Sequence, residues 1–95
     1  MFHESPENTV QSWGYSIVFT SSDKPNAHYP PHSHVTQTTH LILEGSMTLR
    51  YPDQPEPNKF TYSAGDRVDV AAGQEHEVWM GETGCKYVVG EKIHI

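Results

Sequence analysis

The sequence predicts an all-β domain, a sandwich or barrel of short strands. Three observations predict it. Apolar residues alternate with period two in several stretches. Turn formers recur roughly every eight to twelve residues. No window of eleven residues carries a clear i, i+3, i+4, i+7 apolar pattern, so no helix is expected. A chain of 95 residues is read as one domain over 1–95, with 1–11 as a loose N-terminal segment.

The elements follow in order. Ser12 to Ser21, "SWGYSIVFTS", puts Trp13, Tyr15, Ile17 and Phe19 on alternate positions, which is a strand with one apolar face. "DKPNAHYPP" is rich in turn formers and reads as a loop. Gln37 to Tyr51 is β-branched and aliphatic, and Glu44-Gly45 reads as a tight turn splitting it into two strands. "PDQPEPN" is a solvated loop, "KFTYS" a short strand and Ala64-Gly65-Asp66 a turn. Val68 and Val70 alternate toward one face of "RVDVAAG". "EHEVWM" is a strand, "GETG" a hairpin turn, and "CKYVVGEKIHI" supplies one or two closing strands.

Bulk numbers exclude some classes of function. The net charge is −6, and there is no basic run or Lys/Arg stripe. Phosphate neutralisation has no source, so no nucleic acid and no membrane surface is expected as a partner. The longest aliphatic runs are a few residues, too short to span a bilayer. Cys85 is the single cysteine, so no intramolecular disulfide can form, which suits a reducing compartment. The start, "MFHESPENTV", has no apolar core of a secretory leader. A cytoplasmic setting is the expectation.

The chemistry lies in the histidines. His32 and His34 are two apart, and in an extended chain such residues share a face. An H-x-H pair can present two imidazoles to one point, although a pair of surface loop histidines would read the same. If the strand runs on without a bulge, Thr36, Thr38 and His40 share that face. His40 reads first as a hydrogen-bonded interior histidine, with direct metal ligation second. A third ligand must come from another strand. Gly65 to Met80 places a glycine turn, a strand, a second glycine turn and then His76 in order. Taken alone, His76 could be a polar residue at a strand start. Three imidazoles around one point make a site for Zn, Fe, Ni, Cu or Mn with open positions.

The two stretches together resemble the cupin superfamily. The first cupin motif has the form G-x5-H-x-H-x3,4-E-x6-G. It is matched at His32, His34 and Gly45, while Thr38 stands at the glutamate position and Asn26 at the leading glycine. The second has the form G-x5-P-x-G-x2-H-x3-N. Gly65, Gly73 and His76 fall in register, with Ala71 for the proline and Met80 for the asparagine. The resemblance spans roughly Ala27 to Met80 and implies a cupin-type jelly-roll β-barrel, a double-stranded β-helix. It further implies a small single-domain cupin of the cupin-2 kind, one divalent metal ion held by His32, His34 and His76, and a homodimer.

The threonine at position 38 alters the expected chemistry. Cupins typically hold metal with three His and one Glu. A neutral three-His shell leaves the +2 charge uncompensated, so bound water is acidified and anionic or chelating oxygen ligands are attracted. Thr38 and His40 are the candidates for a catalytic role; His40 is also a candidate fourth ligand or a group supporting the ligands. Some three-His cupins are Fe(II) dioxygenases. The resemblance therefore implies dioxygenase-type or metal-assisted acid/base chemistry on a small organic molecule in the barrel. The alternatives are a non-catalytic metal or small-molecule binding module or sensor, and a structural protein that has lost its metal. Val78 and Met80 share the face of His76 and are expected to line the interior, with Trp79 facing out. Tyr15, Tyr87 and Gln37 are possible pocket residues. Cys85 is expected to be a buried, inert thiol, and Asp66, Asp69, Glu75 and Glu77 to be solvated.

Overall fold

The computed structural model describes residues 5–56 and 58–92. A helix, α1 (Pro6–Ser12), precedes six strands: β1 (Ile17–Asp23), β2 (His28–His32), β3 (Thr38–Arg50), β4 (Lys59–Ser63), β5 (Arg67–Val70) and β6 (His76–Glu91). Two long strands organise the fold, β3 with 13 residues and β6 with 16. They run antiparallel along their length, with Thr38 opposite Glu91 at one end and Arg50 opposite Glu77 at the other. The ladder shifts register between Ile42 and Glu44 and again between Gly45 and Met47. Bulges of this kind bend a strand and increase its twist.

Either side of the bend, β3 and β6 recruit different neighbours. β1 pairs with the C-terminal half of β6, from Ile17 opposite Glu91 to Asp23 opposite Cys85. β5 pairs with the N-terminal half of β3, Thr38 opposite Val70. Beyond the bend, β2 pairs with the start of β6 and β4 with the end of β3. Two four-stranded layers result, β1-β6-β3-β5 and β2-β6-β3-β4, joined through the two long strands. One buried cluster draws on both: Ile42, Val68, Val70, Tyr87 and Val89 from the first, Met47, Leu49, Val78 and Met80 from the second. The sheet is thus folded over its own core.

The expected closed barrel does not form. Among the described residues β1, β2, β4 and β5 each pair with one neighbour only, and no ladder joins the two layers at either side. The sheet is open. The two predicted turns at Glu44-Gly45 and Gly81–Gly84 do not reverse the chain either. Gly45 (φ 77°) and Gly84 (φ 82°) sit inside continuous strands and supply the positive φ of the bend. A Cβ on Gly45 would overlap the Gly84 carbonyl, so the two strands bend in close backbone contact.

Three further expectations need correction. The segment 1–11 is not a loose terminus where it is described, because Pro6–Ser12 is helical. Ser5 caps it by accepting from the Asn8 N–H at 3.1 Å, Pro occupies the first turn and Glu7 faces the positive end of the helix dipole. Seven residues with one buried side chain, Val10, are too few for an apolar period to register. Trp13 and Tyr15 precede the strand rather than lie in it. With Val10 and Val88 they pack on the outer face of the first layer, where Gly90 leaves room for Val10, Thr39 and Tyr15. Finally, His28–His32 is strand β2, not loop: its two prolines stand on an edge strand, where a missing N–H is tolerated. β4 and β5 fall where the sequence places them, with Val68 and Val70 buried.

Candidate metal centre

The structure brings His32, His34 and His76 together. One nitrogen of each lies within 4.8 Å of the others. Ring centroids are 5.0 Å apart for His32 and His34, 4.3 Å for His32 and His76, and 5.2 Å for His34 and His76. Each arrives by a different route. His32 ends β2 and His76 begins β6, and the two are paired across the ladder. His34 lies just past β2, so the shared-face argument from a continuous strand does not place it. Its backbone does: the Gly73 N–H donates to the His34 carbonyl at 2.8 Å. The turn glycine of the second motif, at φ 77°, thereby ties the first motif beside His76. Asn26, where the first motif has glycine, adopts φ 60°, a conformation that Asn tolerates better than most residues.

Backbone carbonyls set the tautomers. His32 Nδ1 lies 2.8 Å from the Pro30 carbonyl, and His76 Nδ1 lies 3.0 Å from that of Gln74. A carbonyl only accepts, so each Nδ1 carries the proton and each Nε2 keeps its lone pair. Metal-binding histidines are oriented in the same way by a partner on the other nitrogen. Burial holds the His34 and His76 pKa values below the usual imidazole range, and the neighbouring histidines add to the effect; the Gln74 carbonyl opposes it at His76 and Glu91 at His34. His34 and His76 thus favour the neutral imidazole, the state that ligates.

A cavity of about 210 Å³ adjoins the cluster and lies between the two layers. Its walls are mainly apolar, with Met47, Leu49, Val78, Met80 and Val89. The expected inward direction of Val78 and Met80 is what the structure has. Tyr29 and Tyr87 also line it, and both phenols donate to Asp23, at 2.8 and 2.6 Å, so one carboxylate fixes two walls. Burial and this hydrogen bond to Asp23 raise the Tyr87 pKa, and the phenol stays protonated.

Thr38 and His40 both face the cavity. Thr38 is 2% exposed and its Oγ1 has no partner; His40 Nδ1 is likewise buried without one. Unsatisfied buried polar atoms are costly, and two beside one cavity fit a site completed by a polar ligand. Burial depresses the His40 pKa to about 4, with the Val68 backbone opposing. His40 is therefore a neutral hydrogen-bonding group at pH 7, and it is not among the clustered donors. A three-nitrogen donor set with open positions suits a divalent transition metal, so the residues present fit the group that the fold implies.

Other expected pocket residues sit elsewhere. Tyr15 and Gln37 bond each other at 3.0 Å away from the cavity. Cys85 is buried, with its thiol pushed up to about 11 by burial. Trp79 lies outside the core, stacked on His28 at 5.4 Å with Lys59 over its ring. Three carboxylates expected to be solvated are engaged, and the first, Asp66, accepts from the Ser63 N–H at 2.8 Å. Glu77, 12% exposed, bridges His28 and Arg50 at 2.7 and 3.1 Å. Asp69 accepts from Thr39 and Arg67 at 2.6 and 2.9 Å. His3 and His94 lie outside the described residues. Sequence reasoning missed Phe19, Ser21, Tyr29, Met47, Leu49, Val89 and Glu91 as cavity residues. The parity of β6 contained the signal for Glu91, since 87, 89 and 91 share a face.

No family model matches the sequence, and no curated protein matches it. Solved structures do. A cupin-2 domain containing protein from Shewanella frigidimarina aligns with 80% of this chain and 69% of its own, at 22% identity and a TM-score of 0.65. The polyketide cyclase RemF from Streptomyces resistomycificus aligns with 79% of this chain and 53% of its own, at 27% identity and a TM-score of 0.64. Oxalate decarboxylase from Bacillus subtilis, described for its Mn(II) centers, aligns over 79% of this chain and 20% of its own, at 17% identity and a TM-score of 0.69. The chain therefore has a cupin-type fold, with His32, His34 and His76 clustered and threonine at the position of the motif glutamate.

Proposed function

We propose that the protein binds one divalent transition metal ion through His32, His34 and His76 and holds a small organic molecule in the adjoining cavity. The observation that carries this reading is the tautomer arrangement. Two of three converging imidazoles have Nδ1 committed to backbone carbonyls, which leaves Nε2 free to ligate. A bound ion would act as a Lewis acid on an oxygen of that molecule or on water. The chain supplies the remainder. Apolar walls exclude solvent, Asp23 holds Tyr29 and Tyr87 in place, and Thr38 Oγ1 and His40 Nδ1 await polar partners. A volume of about 210 Å³ suits a single-ring or short-chain molecule. Metal-assisted acid/base or oxygenase-type conversion of that molecule is the enzymatic form of the proposal.

One observation favours the non-catalytic form. With a pKa of about 4, His40 takes up a proton poorly at neutral pH, so it positions a ligand better than it serves as a base. Reconstitution with Fe(II), Mn(II) or Zn(II), followed by oxygen-uptake and product screens of small carbonyl, thiol and phenol compounds, separates the two. Turnover that needs the metal establishes the enzyme. Saturable binding with no turnover establishes the binding module.

A further inference from the structure

The three-histidine site has no carboxylate at the motif position, and the ladder offers one beside it. Thr38, which stands at that position, is paired directly with Glu91 across β3 and β6. Directly opposed residues in a sheet share a face, with Cβ atoms about 4.5–5.5 Å apart. Both residues line the cavity that adjoins the cluster. The Lys92 N–H bonds the Gln37 carbonyl at 3.1 Å, which locks the end of β6 to the segment carrying His34 and Thr38. Among the described residues no ion pair engages Glu91. Its carboxylate is outside the group of donors lying within 4.8 Å of one another.

We propose that Glu91 supplies the negative charge that balances a divalent ion held by His32, His34 and His76, replacing from the neighbouring strand the carboxylate that Thr38 lacks. A neutral three-nitrogen site is thereby made into one of mixed charge, with the acidic group on β6 and Thr38 Oγ1 left open toward the cavity. This inference rests on the metal-binding reading above.

The test uses Co(II) alone as probe, titrated into the metal-free full chain against a competing chelator, with visible absorption following the ion. Far-UV circular dichroism verifies the fold of each variant. Wild type binds about one equivalent and His76→Ala none. Glu91→Gln weakens Co(II) binding by about 10- to 100-fold, the range for groups that support metal ligands. Glu91→Asp, which keeps the charge, stays closer to wild type than Glu91→Gln does. Adding Thr38→Glu to Glu91→Gln recovers most of the loss, which a merely structural role of Glu91 would not allow. Glu82→Gln, at an exposed site, leaves binding as it was. A Glu91→Gln loss below tenfold, a loss that Thr38→Glu fails to recover, or an equal loss in Glu82→Gln overturns the proposal and leaves the three-histidine reading standing. Wild type that takes up no Co(II) overturns both.

Discussion

At the scale of single residues, the site depends on which protons are held where. His40 is the clearest case. Burial lowers its pKa from 6.5 to about 4, so the unfolded chain binds its proton more readily than the folded one. Stability from this group is fully present above about pH 6.5 and is lost as pH falls toward 4. The difference of about 2.5 units corresponds to about 3 kcal/mol. His34 and His76 are depressed in the same direction and deepen the loss. Urea unfolding of the metal-free protein at pH 7 and pH 4.5 is expected to show it, and His40→Leu should flatten the slope. A slope unchanged by that variant would mean that other groups set the acid limit.

At the scale of elements, the glycines decide the architecture. Gly45 is both left-handed and in backbone contact with Gly84, so Gly45→Ala should cost about 3 kcal/mol or more in equilibrium unfolding. A loss under 1 kcal/mol would mean that the bend tolerates a side chain. The same glycines limit what could be read in advance. Their spacing to His32, His34 and His76 marked the two motifs, and the strands at Lys59–Ser63 and Arg67–Val70 followed from alternation and turns. A glycine at positive φ serves a turn and a bulge equally well, so sequence could not tell a chain reversal at Gly45 or Gly84 from a bend within one strand. The expectation of a closed barrel came from the cupin resemblance. Helix α1 was hidden by its length, and β2 by prolines that an edge strand tolerates. Of the site, the three histidines were legible because the motif spacing encodes them. Tyr29 and Asp23 were not, because their relation to the cavity exists only once β1, β2 and β6 are paired, whereas the alternation of β6 from Tyr87 already pointed to Glu91.

For the whole molecule, the question is what stabilises so small an open sheet. A domain of this length buries a modest core, and a ligand bound only by the folded state adds to it by mass action. Zn(II) at about 100 times its dissociation constant should add about 2.7 kcal/mol, read as a higher Tm that His76→Ala lacks. Partner subunits act in the same way. β1 pairs only with β6 among the described residues and carries Ile17 and Phe19, each 43% exposed. An exposed apolar edge of this kind invites pairing with a second copy. Sedimentation at micromolar concentration should give twice the chain mass, and a monomer there would exclude the dimer.

The most direct measurement is elemental analysis of untagged protein, wild type and His76→Ala, after reconstitution with Fe(II), Mn(II) or Zn(II) and removal of free metal. About one equivalent of metal in wild type and none in the variant is the predicted result. No retained metal in wild type, or equal metal in both proteins, would contradict the three-histidine site.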